Sequence, residues 1–450
     1  MPPTRRIKHF FRLGGAALGW VGLFPALAAA ATIHAGPHDY RQYLKQLQPG
    51  DTLILEGGVY QRGLPIHGLV GSAERPIIIR GGDDDLPPLF VGQRGHNTVS
   101  IIDSAYVTIA GLTLDGRSQP INAVKAEGHA RWAHHITLEN LVIRGYGVSQ
   151  QMVGISTKCP SWNWVVRNNV IIGAGTGMYF GNSDGSDAFV GGLIEHNLVV
   201  NSRGYNLQIK HQNRREDVPG MPQGDEQTVI RHNVFSKAAG GSQEMPRPNV
   251  LVGHWPLTGP GQDDRYAIYG NFFYQNPTEA LFQGEGNIGL YNNLLVNDHG
   301  DAVHIQPHND IPRRVDVFFN TVVSAGTGIR VLQPEAEVAQ LASAYIQRVV
   351  ANAVFSPRPI AAEMETGNVT APLVEIWDYL RQPLMPPGEL DLRPVKALTA
   401  RFDAAPLLGY PDWQRDFGGR LREPGEVGAY SAESDGDYWG PRLQRKPLLE

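Results

Sequence analysis

The chain has 450 residues, 52 of them Gly and 33 Pro, with 18% charged and 42% hydrophobic side chains. It is too apolar for a disordered chain and too poor in Lys and Glu for a helical one, so turn-rich β structure is the first expectation. A formal net charge of −5 argues against nucleic acid as a partner. The single cysteine, Cys159, excludes an intramolecular disulfide framework and a Cys-based zinc site.

Residues 1–31 are expected to be a signal peptide. Arg5, Arg6, Lys8 and Arg12 precede an apolar run from Leu13 to Leu27, and Ala28–Ala31 supply a small-residue cleavage site. That core is too short and too glycine-rich to span a membrane, and no later stretch has the length. Cleavage would leave 35 Lys and Arg against 44 Asp and Glu, a mildly acidic protein working in the periplasm or outside the cell, and expected to be a monomer.

Beyond the leader, an asparagine followed by apolar residues recurs at Asn140, Asn169, Asn197, Asn233, Asn271, Asn293, Asn320 and Asn352, with gaps of 29, 28, 36, 38, 22, 27 and 32 residues. Short alternating runs such as Val107–Leu114, Leu193–Val200 and Val315–Val323 lie between turn residues, with no helical segment between them. Strands at such a period predict a parallel β-solenoid, in which each coil buries its apolar face only against its neighbours. Asn repeated at one turn would stack into an amide ladder.

On these residues the chain resembles the right-handed parallel β-helix, pectate-lyase-like superfamily of secreted polysaccharide-active proteins. His38–Leu47 and Pro49–Leu55 look like its N-terminal capping helix and first strand, and Asp416–Arg420 with Gly425–Tyr430 look like its common last segment. The implied fold is all-β: a right-handed parallel β-helix over 32–360 with an N-terminal helical cap, then an irregular C-terminal cap over 361–450. Within that frame Pro334–Arg348 reads as an inserted amphipathic helix and Leu373–Arg381 as helical.

Each coil has a second strand, whose inward residues align as Ile155, Phe180, Ile209, Val252, Phe282, Ile305 and Val331. The next residues then face out: Ser156, Gly181, Lys210, Gly253, Gln283, Gln306 and Leu332. Coils stack about 4.8 Å apart, so these positions and the residues just beyond them form one polar and aromatic stripe. The two longest gaps place loops Gln212–Gln227 and Pro256–Arg265 as its walls.

The resemblance to chondroitinase B-like and alginate-lyase-like β-helices implies a lysine base with an arginine that neutralises a uronate carboxylate. Lys210 fits the first role and Arg214 or Arg215 the second, with His211, His254 or His308 as proton donor. Lys125 and Lys158 are rivals on the same face. Lys158, Trp255, Gln283, Glu285 and Gln306 are candidate substrate contacts. Asp184 and Asp187 in Asn182–Asp187 are candidate Ca²⁺ ligands, against the plainer reading of an acidic turn. His304–Asp310 is similar to the Asp-Pro-His-Asp motif of mannuronan C5-epimerases, with Gln306 and Asn309 in place of its carboxylates.

The expectation is therefore an exported lyase that cleaves an acidic polysaccharide by β-elimination. A C5-epimerase, a glycoside hydrolase and a non-catalytic polysaccharide-binding module are the alternatives.

Overall fold

The computed structural model describes residues 29–82, 86–309, 311–332, 346–432 and 439–447. The expected signal peptide (Ala29–Ala31 apart) and most of the expected helix Pro334–Arg348 lie outside them; the described end of the latter, Gln347–Val350, is a strand.

The chain winds as a right-handed parallel β-helix with three sheets, and every coil visits them in the same order. The first sheet begins at Thr32–Ala35, the second at Val59–Tyr60 and the third at Leu64–His67. Every strand pair within the three sheets is parallel and consecutive coils are direct neighbours, as in Thr32–Ala35 on Thr52–Leu55. The short helix Tyr40–Leu44 covers the open N-terminal end, burying Tyr40 and Leu44. Inside, one apolar cluster runs without interruption from Ala35 to Val354, the continuous core that no coil could form alone. Cys159 is buried in it as a free thiol.

The turn from the first to the second sheet explains the sequence repeat. Asn168, His196, His232, Gly270, Asn292, Phe319 and Ala351 each adopt a left-handed backbone, with φ between 51° and 64°. The asparagine that follows each of them points inward. Asn197 is representative: its Nδ2 donates to Val166 O at 2.8 Å and to Asn233 Oδ1 at 2.9 Å, and its Oδ1 accepts from Asn169 N at 3.0 Å and Asn169 Nδ2 at 3.0 Å. Every polar valence of this buried amide is filled. The same ladder runs from Asn169 to Asn368. Asn140 does not belong to it. It occupies the left-handed position (φ 55°) and is exposed, while Leu141 holds the ladder position. The first gap of the repeat is therefore offset by one residue.

The coils continue past the expected boundary at 360, through Glu365–Thr366 and Val369–Ala371. Leu373–Asp378 is a 3₁₀ helix, and Leu380–Gln382 pairs with Asp391–Pro394 as an antiparallel hairpin. The segment after it turns back along the outer face of the first sheet instead of only closing an end. There Tyr269, Tyr291 and Phe318 stack with near-parallel rings, and Tyr410 and Asp412 cover them. Residues 439–447 cross the left-handed turns. Arg445 donates to Asn168 O at 2.6 Å, His196 Nδ1 donates to Lys446 O at 2.8 Å, and the buried Lys446 Nζ donates to Phe417 O at 2.7 Å. Among the described residues no helix is long and apolar enough to cross a membrane.

Candidate active site

The outer face of the third sheet carries two rows of side chains. Strand register sets one as Lys125, Ser156, Tyr179, Gln208, Leu251, Gln283 and His304. The other follows the strand ends as Glu127, Lys158, Gly181, Lys210, Gly253, Glu285 and Gln306, fixed by amide bonds such as Lys210 N to Phe180 O at 2.9 Å.

This register corrects the alignment expected from sequence at two coils. Ile155 pairs with Met178, not Phe180, and Phe282 pairs with Val250 and Val303, not with Val252 and Ile305. Thr157 and Gly284 occupy the inward places that an apolar pattern would fill. Thr157 Oγ1 spends its acceptor on Gly181 N at 3.0 Å, and Ile288 and Phe282 fill the space that a side chain at Gly284 would need.

The corrected rows bring together groups that the sequence alignment kept apart. Lys158 and Lys210 stand two rungs apart, about 10 Å along the helix axis, with Gly181 between them. Gly181 has a left-handed backbone (φ +84°) and leaves the floor between the two lysines bare. The next rung is Gly253, where a Cβ would strike the backbone of His211. Lys158 Nζ lies 3.6 Å from the centre of the Tyr179 ring and donates to Gly181 O at 3.1 Å. Burial, then the charges of Lys125 and Lys210, lower the Lys158 ammonium to about 8, against the pull of Asp187 and Asp184. Lys210 is also lowered, chiefly by burial, with Glu285 opposing and Arg247 adding to it. Burial raises the Tyr179 phenol, so it holds its proton. Arg247 flanks the face at the start of the strand, over the Tyr205 ring at 5.8 Å. Its carbonyl accepts from the buried Lys237 Nζ at 2.7 Å and from Asn276 at 2.8 Å, which fixes the backbone there.

Other expected site residues take structural places. Arg215 is buried and forms an ion pair with the buried Asp264; it also donates to Gly224 O at 3.1 Å, tying loop 212–227 to loop 256–265. It is not free to meet a substrate carboxylate. Arg214 is exposed and lines a small cavity with Gly185, Ser186 and Asp187. Trp255 is 1% exposed and stacks on Tyr266, so it offers no ring face to a sugar. Glu285 accepts from His308 N at 3.1 Å and Asn309 N at 2.8 Å, shaping the turn that holds the exposed His308 at the rim. Gln283 and Gln306 are half-buried on the face.

His211 stacks on His254 with ring centres 5.3 Å apart, and His254 Nδ1 donates to Trp255 O at 2.9 Å. Burial, then Lys210 and His254, lower the His211 imidazole, which keeps it neutral. Asp184 accepts from Ser186 N and Oγ, and Asp187 accepts from Asn182 Nδ2 at 2.7 Å, so both carboxylates brace their own turn. Among the described residues no three His, Cys, Asp or Glu side chains gather as a metal-binding group.

Tyr179 and Arg247 escaped the sequence reading. Tyr179 alternates with the buried Met178 and Phe180, a signal that becomes legible once the register is right. Arg247 precedes its strand and carries no pattern of its own.

Neither a family model nor a curated protein sequence matches the chain. Among solved structures, it is similar to an alginate lyase from Paenibacillus sp. str. FPU-7 at 16% identity and a TM-score of 0.36, over 76% of this chain and 99% of that one. The PL6 family alginate lyase AlyGC matches at 14% identity and a TM-score of 0.45, over 78% of this chain and 54% of that one; the chain thus spans about half of AlyGC's length. Pectate lyase Pel9A matches at 13% identity and a TM-score of 0.40, over 93% and 97% of the two chains.

Proposed function

We propose that this protein is an exported polysaccharide lyase that cleaves a uronic-acid-containing polymer by β-elimination on the third-sheet groove. The observation that carries the reading is the row Lys158–Gly181–Lys210 beside Tyr179: two lysines with lowered pKa over a bare floor, next to a phenol that keeps its proton.

β-Elimination asks for a base at C5, a cation at the carboxylate and an acid at the leaving oxygen. Lys158 in its neutral form takes the C5 proton. The C5–H electron pair becomes the C4–C5 double bond as the C4–O bond breaks, and Tyr179 protonates the departing oxygen. Lys210 and Arg247 face the carboxylate and stabilise the charge that grows on it. Lys210 thus passes from base, its role in the sequence reading, to carboxylate neutraliser. The His211–His254 stack beside Lys210 serves as a polar wall. Hydrolysis is less well served: the two carboxylates on the row, Glu127 and Glu285, stand five rungs or about 24 Å apart, whereas a glycosidase pair needs about 5–9.5 Å, and the closer Asp184 and Asp187 both accept from Ser186 Oγ within their own turn.

The test is incubation of the purified protein with a panel of polyuronates and glycosaminoglycans, with and without Ca²⁺, followed by ultraviolet absorbance of the unsaturated product. One polymer should give a rising signal. A flat trace on every polymer in both conditions defeats the proposal.

A further inference from the structure

The third-sheet face continues beyond Lys158 toward the N-terminal cap. Strand register carries the row of Lys158 back through Glu127 and Ile102 to His67, and the row of Tyr179 back through Ser156, Lys125 and Ser100 to Pro65. Over these last rungs the face opens into a cavity of about 610 Å³, within the range of a small-ligand site. Its floor is low, because Pro65 and Ser100 stand where Lys125 and Tyr179 stand further along the row.

Two arginines reach this cavity from different elements. Arg41 lies on the capping helix Tyr40–Leu44, and Arg62 in the turn before the strand Leu64–His67. The buried Tyr40 joins the two elements, its hydroxyl donating to Arg62 O at 2.6 Å. Burial pushes the Tyr40 phenol up to about 12 and the charges of Arg41 and Arg62 both oppose it, so the two cations stand near one another. Arg41 is half-buried and Arg62 exposed, so a ligand can reach both. Among the described residues neither guanidinium meets an acceptor or an ion-pair partner.

The carboxylate that lines the cavity is already engaged. Glu127 accepts from Asn97 Nδ2 at 2.7 Å and pairs with Lys125 Nζ at 3.4 Å. Arg41 also acts on the floor: burial lowers the His67 imidazole, with Glu127 opposing and Arg41 and His129 adding to it. His67 Nε2 lies 3.1 Å from Ser100 Oγ, a neutral polar pair beneath the two cations. Two like charges held together without an acid repel, and an anion shared between them removes that cost.

We infer that this cavity is a remote subsite of the groove, which holds the carboxylate of a uronate unit between Arg41 and Arg62. The inference rests on the lyase reading for where the cut falls. His67 and Lys158 stand three rungs apart on their row, about 14 Å. One sugar of an extended chain advances by about one rung, so the captured carboxylate belongs to a sugar about three units from the cut. His67 and Ser100 meet its hydroxyl groups, and Lys125 meets the unit next to it. The groove therefore discriminates by chain length: an oligomer too short to reach Arg62 from Lys210 forfeits this contact.

Calorimetric titration of the full chain with hexamers and trimers of mannuronate, guluronate and galacturonate tests this. At about pH 5.5 Lys158, lowered to about 8, is protonated, which suppresses turnover during the titration. At least one hexamer should bind saturably and more tightly than its trimer. Arg41→Gln combined with Arg62→Gln should weaken the hexamer about tenfold and shrink its advantage over the trimer, with the near-ultraviolet circular dichroism unchanged. Absence of saturable binding by every hexamer to the parent protein overturns the inference, and so does parental hexamer affinity in the double variant. The tenfold loss alongside a flat absorbance trace defeats the lyase reading alone. A rising trace alongside undiminished hexamer binding in the double variant defeats the subsite alone.

Discussion

Lys158 holds its ammonium 3.6 Å from the centre of the Tyr179 ring, and one rung of the helix separates it from Lys210 on the same row. An aromatic face stabilises a cation, yet burial and two neighbouring lysines outweigh it and bring Lys158 down to about 8. The pair is thus built to hold a proton loosely next to a group that holds one firmly.

A base works when deprotonated, so turnover should rise with pH and level off above about 8, the value to which Lys158 is lowered. Lys158→Ala should cost about 10²–10⁴ in kcat and abolish that rise. Tyr179→Phe should cost a similar factor while the rise persists. Steady-state rates over a pH series check both.

Lys210→Ala removes one of the positive charges that depress Lys158. The ammonium of Lys158 is then easier to keep, its pKa rises, and the rising limb of the rate profile should move to higher pH, with a larger KM from the lost carboxylate contact. If Lys210 were itself the base, turnover would vanish with no displacement of the profile. The same pH series separates the two.

Arg215→Ala leaves the carboxylate of Asp264 buried without its ion pair. Removing one partner of such a pair costs about 3–5 kcal/mol, so the midpoint of urea unfolding should fall sharply. Arg214→Ala, on the exposed side of the same loop, should stay within about 0.5 kcal/mol of the parent.

Asn271→Ala removes an amide that donates to Ile230 O at 2.9 Å and to Asn293 Oδ1 at 3.0 Å, and accepts from Asn233 N at 2.9 Å and Asn233 Nδ2 at 3.0 Å. It strands buried partners on both neighbouring coils, at about 1–3 kcal/mol each. Asn140→Gly changes an exposed residue whose left-handed backbone glycine adopts freely, and should leave stability unchanged or slightly raised. Parallel urea titrations of the two variants check this contrast.

The fold was legible because the ladder demands one residue type at one place in each coil from Asn169 onward, and seven such places in a row cannot be mistaken for chance. The offset at Asn140 was not legible, since asparagine also suits the left-handed position just before the ladder. The candidate site was half-visible for a related reason. Lysines are scarce, so Lys158 and Lys210 drew attention, but their relation to Tyr179 depends on register. Thr157 and Gly284 broke the apolar signal from which register is read. Arg215 and Trp255 misled because charge and aromaticity on a loop look alike whether the side chain meets a ligand or a neighbouring loop.

The crossing of residues 439–447 over the left-handed turns has a consequence for how the solenoid comes apart. A stack in which each coil touches only the next can fray from either end, one layer at a time. Here Lys446 and Arg445 join coils near the middle of the stack to Phe417 and the flanking cap. Fraying that frees the cap therefore also uncovers His196 and His232, and the layers they belong to lose support together. The strap converts a chain of nearest-neighbour couplings into a closed circuit, in which the central coils that bear Lys210 share their fate with a segment more than 200 residues away in sequence.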